Sequence, residues 1–184
     1  LSKKIDYVIN LPKGKNSTYL KSADFFITTI NYLPILKIDF SKKKKFDLNF
    51  NFPEKYKVVY PDKHDLLETY TYPPPIIAGD FIKNSTLGFD VYTLKNDSKK
   101  SERINEIITE IDNAFKFYHK VYPKITKKPK IIFLPIKNPS AKTLENAIVF
   151  DTELLNEKNP LQKRLIAHEV SHLWWGTGGI TFDN

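Results

Sequence analysis

The sequence has no cysteine, no methionine at its start and no run of about eighteen consecutive apolar residues. Without cysteine, disulfides and thiolate zinc sites are excluded, so any metal must be held by histidine and carboxylate side chains. No membrane span is expected in this chain, and its first residues lack the pattern of a secretory leader. Because the chain begins at Leu1, we expect a mature form or an internal piece, and the compartment stays open.

The apolar content is sufficient for a folded core. Of the 184 residues, 41% are hydrophobic and 14% are aromatic. A chain of this length suits one medium-sized domain or two small ones. We therefore expect a globular protein.

The formal net charge is +8, and a basic protein raises the question of nucleic-acid binding. The lysines are scattered, however, and the one dense run, Lys42 to Lys45, lies between two alternating apolar segments. A solvated turn is expected there in preference to a phosphate or lipid contact. We expect no nucleic-acid partner.

Roughly the first ninety residues have the pattern of β-strands. Short apolar or alternating runs over 25–30, 35–40, 46–52 and 56–60 are separated by Pro, Asn, Lys and Asp. Three consecutive prolines at 73–75 precede a further apolar segment over 76–81, in which Gly79-Asp80 marks a turn or bulge. The pattern predicts a sandwich-like β domain, and we place its end at residue 83.

The pattern changes in the second half, residues 84–184. Apolar residues spaced for one helix face predict a helix over 97–122, capped by Ser98 or Ser101. Strands over 130–136 and 147–150 follow, with a loop over 137–143 between them. Asn159 and Pro160 suit the start of a last helix over 161–175.

This last helix contains the sequence His168-Glu169-Val170-Ser171-His172. Residues four apart lie on the same helix face, so both histidines can bind one ion. Zinc in a hydrolytic site needs a further ligand and keeps a position for water, from which Glu169 can accept a proton as general base. The alternative is a purely structural helix. Of the two other histidines, His119 is expected to be structural, and His64, which has no second ligand at metal spacing, is expected at the surface.

Three segments resemble the gluzincin zinc aminopeptidases, the family of aminopeptidase N and leukotriene hydrolase. The segment from Leu165 to Gly176 is similar to their zinc helix. Leu144-Glu145-Asn146 stands where they carry Gly-Ala-Met-Glu-Asn, and the segment from Tyr72 to Phe81 is similar to the last strand of their N-terminal β domain. The resemblance implies an α+β chain: the C-terminal part of a β-sandwich-like domain, then the first half of a thermolysin-like catalytic domain.

The resemblance also implies roles for individual residues. His168 and His172 are expected to bind one zinc ion, Glu169 to act as the base, and Glu145 to bind the free α-amino group of a peptide substrate. Lys142 and Thr143 replace the Gly-Ala pair of the family motif, and Leu144 replaces its Met. The remaining zinc ligand of the family, a glutamate on the next helix, is expected beyond Asn184, and so is the tyrosine that stabilises the oxyanion.

We therefore expect a zinc metallopeptidase that hydrolyses peptide bonds at free N-termini, weakly active or inactive as this truncated chain. Two alternatives are a zinc endopeptidase, in which Glu145 does not bind an amine, and a non-catalytic peptide-binding module derived from the same fold.

Overall fold

A computed structural model describes residues 14–15, 19–21, 24–28, 52–61, 75–97, 99–123, 125, 127–136 and 141–175. The chain divides into two compact units, Leu1–Asp80 and Phe81–Asn184. The sequence placed the boundary a few residues later, after residue 83. What kind of domain each unit represents stays a prediction.

The described residues of the first unit form one antiparallel sheet of five short strands. They are β1 Gly14–Lys15, β2 Tyr19–Lys21, β3 Phe25–Thr28, β4 Lys57–Tyr60 and β5 Ile77–Gly79. Their order across the sheet is β1-β2-β3-β5-β4. Strands β3, β4 and β5 lie within the segments that were predicted from their apolar runs. The lysine run, the predicted strand over 35–40 and most of the one over 46–52 lie outside the described residues.

The described part of the second unit contains a second sheet and two helices. Its strands are β6 Phe81–Ser85, β7 Asp90–Leu94, β8 Lys130–Leu134, β9 Ala141–Leu144 and β10 Ala147–Asp151. Its helices are α1 Ser101–Val121 and α2 Lys163–Ser171, with 3-10 turns at Lys95–Asp97 and Thr152–Leu155. The described chain is therefore of the α+β type.

The second sheet has the order β6-β7-β8-β10-β9. Strands β7, β8 and β10 run parallel, and β6 and β9 are antiparallel strands at its two edges. Every residue of β8 and of β10 is buried, as expected for the continuous apolar runs of strands that are covered on both faces. Helix α1 makes the crossover from β7 to β8, which a parallel connection requires.

The core of the second unit lies between its sheet and the two helices. On α1 the buried residues Ile104, Ile107, Ile111 and Phe115 recur at helical spacing. They join one cluster with residues of β7, β8 and β10 and with the apolar face of α2. Each fully buried Ile or Val contributes about 1.5–3 kcal/mol through removal of apolar surface from water.

The predicted capping of α1 was wrong. The residue at its N-cap is Lys100 and not Ser101, and the Lys100 side chain makes no capping hydrogen bond; Ser98 lies outside the described residues. The backbone N–H of Lys100 instead donates to the carbonyl of Asp97 (3.1 Å), at the end of the preceding 3-10 turn. Backbone hydrogen bonding through this turn thus sets the entry to α1.

The predicted bounds of α2, 161–175, were also wrong at both ends, since the helix begins at Lys163 and ends at Ser171, with His172 as its C-cap. The cause at its start is Arg103 of α1, whose guanidinium is buried and donates to the carbonyl oxygens of Leu154 (3.1 Å) and Asn159 (2.7 Å). The Asn159 carbonyl therefore bonds to a distant side chain and not within a helix. Tertiary contact overrides the local capping signal here.

The predicted loop over 137–143 was wrong at its C-terminal end, because Ala141–Leu144 forms strand β9. Its residues pair with β10, with Thr143 opposite Ile148 and Leu144 opposite Ala147. The strand is short, and its burial alternates between Ala141 and Thr143 on the buried side and exposed Lys142 on the other. A four-residue edge strand of this kind gives a weak signal in the sequence.

Candidate metal centre

Helix α2 carries His168, and His172 is its C-cap with αR backbone angles. The helix is fixed to the core by its opposite face. Ile166 and Val170 are fully buried against the sheet and α1. The Lys163 ammonium lies 2.6 Å from the Glu110 carboxylate of α1, and the Tyr118 hydroxyl donates to the Ala167 carbonyl (3.3 Å). These contacts hold the helix in place, and its exposed face is left for His168.

The two histidine side chains meet as their spacing predicts. Nε2 of His168 lies 3.1 Å from Nε2 of His172. Their rings are nearly perpendicular, at 83°, with centroids 4.6 Å apart. His168 is exposed and His172 half-buried, so the two Nε2 atoms converge near the protein surface.

The second ring nitrogen of His172 lies 3.2 Å from the backbone carbonyl oxygen of Trp175. A carbonyl oxygen only accepts, so Nδ1 of His172 must carry the proton in this bond. Nε2 of the neutral ring is then unprotonated and can accept the hydrogen bond from His168 or bind a metal ion. Histidine ligands of metals are commonly held in this way by a bond from the other nitrogen.

These donors fit zinc. Two tetrahedral zinc ligands at about 2.0–2.1 Å from the ion are about 3.3 Å apart, close to the observed 3.1 Å between the Nε2 atoms. Imidazole is a preferred zinc ligand, and the chain has no thiolate to compete with it. Among the described residues, no group of three or more His, Asp or Glu side chains comes together as a metal cluster.

Glu169 lies on α2 between the two histidines in sequence but is turned towards β9 and is only 7% exposed. Its Oε2 accepts a hydrogen bond from the Thr143 hydroxyl, with an oxygen-to-oxygen distance of 2.7 Å. The same hydroxyl oxygen is 2.9 Å from the backbone carbonyl oxygen of Glu169. The candidate base is thus tied to the edge strand of the sheet.

Glu145, the expected amine anchor, is exposed in the turn that joins β9 to β10. It lies two positions after Thr143 in the chain, and Thr143 is the residue that contacts Glu169. Its neighbour Asn146 is buried and donates to the Lys128 carbonyl (3.4 Å). The turn is therefore fixed on one side, while the side chain of Glu145 is accessible to solvent.

An open groove of about 450 Å³ adjoins His168. Its other described lining residues are Gln162, Arg164 and Leu165. The groove therefore lies directly beside His168, one of the two candidate ligands, along the first turns of α2.

The remaining histidine of the described chain, His119, is on α1. Its ring packs edge-on against Phe115 and Trp174, with centroid distances of 5.7 and 5.3 Å. This aromatic contact agrees with the structural role expected for it. His64 lies outside the described residues.

Two contributions to this site were not expected from the sequence: the Thr143 hydroxyl and the Trp175 carbonyl. Thr143 had been placed in a loop, and only the alternation of its short segment indicated a strand. The contact from Trp175 is made by the backbone, so no residue type signals it.

Comparison with models of known protein families gives no match for this chain, and neither does comparison with curated proteins. In the described residues, neither helix combines the length and the apolar character that crossing a membrane requires.

Proposed function

We propose that this chain carries the zinc-binding helix of a gluzincin-type metallopeptidase that hydrolyses peptide bonds at free N-termini. The observation that carries the proposal is the 3.1 Å distance between the Nε2 atoms of His168 and His172, with the carboxylate of Glu169 on the same short helix. In a purely structural role the two nitrogens would remain hydrogen-bonded to each other at this distance, whereas in the proposed role they share one ion.

The proposal includes the kind of domain that each unit represents. The first unit would be the end of a β-sandwich-like N-terminal domain, which its antiparallel strands support. The second would be the first half of a thermolysin-like domain, supported by a mixed sheet whose edge strand β9 contacts the helix that bears His168 and is capped by His172.

In the proposed reaction each residue has a separate task. When bound, zinc polarises the substrate carbonyl and lowers the pKa of a water molecule. Glu169 takes a proton from the attacking water and later gives it to the leaving amine. Glu145 pairs with the ammonium group at the start of the peptide, which restricts cleavage to the first residue.

Metal binding is the first test, because it does not depend on turnover. The chain carries two of the expected ligands, so we expect it to bind zinc weakly in a titration without dialysis, and His168→Ala to lose most of this binding. His119→Ala is the matched control, since it removes a histidine outside the site. Equal zinc binding by wild type and His168→Ala would remove the basis of the proposal.

Substrate discrimination is the second test. We expect at most weak cleavage of a short peptide with a free N-terminus, none of its N-acetylated form, and loss of that activity in Glu169→Gln. Cleavage of both peptides at similar rates would favour the zinc endopeptidase alternative. Peptide binding without metal or cleavage would favour the non-catalytic module.

A further inference from the structure

The hydroxyl of Thr143 is placed against two acceptors of one residue. Its Oγ1 lies 2.7 Å from the Oε2 atom and 2.9 Å from the backbone carbonyl oxygen of Glu169. A threonine hydroxyl has one proton to donate, so it serves one acceptor at a time. Thr143 is 9% and Glu169 7% exposed, and bulk water therefore competes little for either bond.

The register of the sheet gives this hydroxyl its direction. Thr143 of β9 is paired with Ile148 of β10, and side chains of directly paired residues point to the same face. Ile148 belongs to the core beneath the two helices. Thr143 therefore points towards α2, in contrast to Lys142, which is exposed.

We propose that Thr143 is a positioning residue for Glu169. Its hydroxyl holds Oε2 of the carboxylate, and this leaves Oε1 as the oxygen that takes the proton from the attacking water. The inference rests on the proposed peptidase function, and it adds to it a residue for which the sequence predicted no role.

Because the Thr143 hydroxyl has two acceptors within reach, it can stay hydrogen-bonded both when Glu169 is ionised and when Glu169 is protonated. While Glu169 is ionised, the stronger bond is the charge-assisted one to Oε2. When the O–H bond of the water breaks and a new O–H bond forms at Oε1, the carboxyl becomes neutral. The Thr143 proton can then turn to the carbonyl oxygen of Glu169, and it returns when Oε1 releases its proton to the leaving amine. Thr143 keeps its own proton throughout.

The first test measures hydrolysis of a short peptide with a free N-terminus by zinc-loaded protein. Thr143→Val keeps the shape of the side chain but removes the hydroxyl. We expect it to lower kcat about 10- to 100-fold, as misplacement of a catalytic group does, with KM and bound zinc unchanged. Thr143→Ser restores the hydroxyl and should recover most of the lost kcat.

Thr93→Val is the matched control. Thr93 is fully buried in the second unit, and its hydroxyl has no hydrogen-bond partner within the described residues. The same chemical change there should leave kcat, KM and zinc content as in wild type. Equal kcat in Thr143→Val and wild type would overturn the proposal, and so would a failure of Thr143→Ser to recover activity.

A second test does not depend on turnover. We expect Thr143→Val to lower the thermal unfolding midpoint by about 3 °C or more in the wild-type background, because a buried carboxylate loses its donor. In the Glu169→Leu background only the bond to the backbone carbonyl oxygen of residue 169 is left to lose, so the same substitution should lower the midpoint by clearly less. Equal losses in both backgrounds would show that the two side chains are not coupled.

The two tests separate this inference from the function on which it rests. If Glu169→Gln abolishes cleavage but Thr143→Val does not reduce it, the peptidase proposal stands and the positioning role fails. If Glu169→Gln remains as active as wild type, the peptidase proposal fails and the positioning role fails with it. The unfolding comparison would in that case still report whether the contact exists.

Discussion

Nδ1 of His172 lies 3.2 Å from the backbone carbonyl oxygen of Trp175, which orients the ring through the turn that follows α2. This one side chain thus has two separable tasks, a bond to the backbone through Nδ1 and a candidate metal bond through Nε2.

Substitution by asparagine should separate the two tasks of His172. The Asn side chain amide reaches about as far as Nδ1 and can donate to the Trp175 carbonyl, but it has no atom at the place of Nε2. We expect His172→Asn and His172→Ala to weaken zinc binding equally, by at least about 100-fold. Without metal, the asparagine variant should be about 1 kcal/mol more stable than the alanine variant.

Competition with a metal indicator dye measures the first effect of this pair of variants, and urea unfolding in the presence of a chelator measures the second. Retention of wild-type zinc affinity by His172→Asn would exclude Nε2 as a ligand.

Substitution of Arg103 should destabilise the protein more than substitution of an exposed charged residue of the second unit. Its buried guanidinium donates to the carbonyl oxygens of Leu154 and Asn159 and pairs with Glu106. Arg103→Met keeps the apolar stem but leaves two carbonyl groups without this donor, at a cost of about 2–3 kcal/mol in the free energy of unfolding.

Urea unfolding measures this loss, and Lys116→Met provides the control because Lys116 forms an exposed ion pair with Asp112 on the same helix. The control should change the free energy of unfolding by no more than about 0.5 kcal/mol. Similar losses in both variants would mean that the buried network contributes no more than a surface pair.

Because of Asp90, the free energy of unfolding should depend on pH in the acid range. Burial alone would raise the pKa of its carboxyl, but contacts with Lys128 and Lys83 outweigh burial and lower the pKa from 3.8 to about 2. The nitrogen atoms of both lysines lie 2.7 Å from its oxygens. Because the folded-state pKa is the lower one, this stabilisation is present above pH 3.8 and is lost as the pH falls through about 2.

We expect Asp90→Asn to lower the free energy of unfolding by about 1 kcal/mol at pH 7, a value reduced from the full pKa shift because both lysines are partly exposed. The difference from wild type should shrink as the pH is lowered from about 4 towards 2. Urea unfolding at several pH values measures it, with Asp112→Asn as a surface control. A difference that stays constant down to the lowest pH would contradict this assignment.

Local sequence patterns predicted most of the helices and strands. They did not predict at which residues these helices and strands begin and end. The spacing of Ile104, Ile107, Ile111 and Phe115 indicates a helix face directly, and the apolar runs of β8 and β10 indicate buried strands. The start of α2 depends on Arg103, which is 56 residues before Asn159 in the chain. Capping rules consider only neighbouring residues and therefore miss such a contact.

The same distinction applies to the candidate site. That His168 and His172 share a face follows from helix geometry, and the structure brings their nitrogens together. The contact between Thr143 and Glu169 could not be predicted from helix geometry. The two residues are 26 positions apart, and only the pairing of β9 with β10 brings them together. Side chains that approach through a sheet register leave no local signal in the sequence.

The short turn between β9 and β10 has a consequence beyond the placement of Glu145. Leu144 and Ala147 are paired across it, so its length fixes the alignment of the whole edge strand. A slip by one residue would turn Thr143 away and present Lys142 or Leu144 to Glu169, replacing a hydroxyl by an ammonium or a hydrocarbon. Inserting or deleting one residue in this turn would therefore change the chemical surroundings of the carboxylate without altering any residue of the helix that carries it.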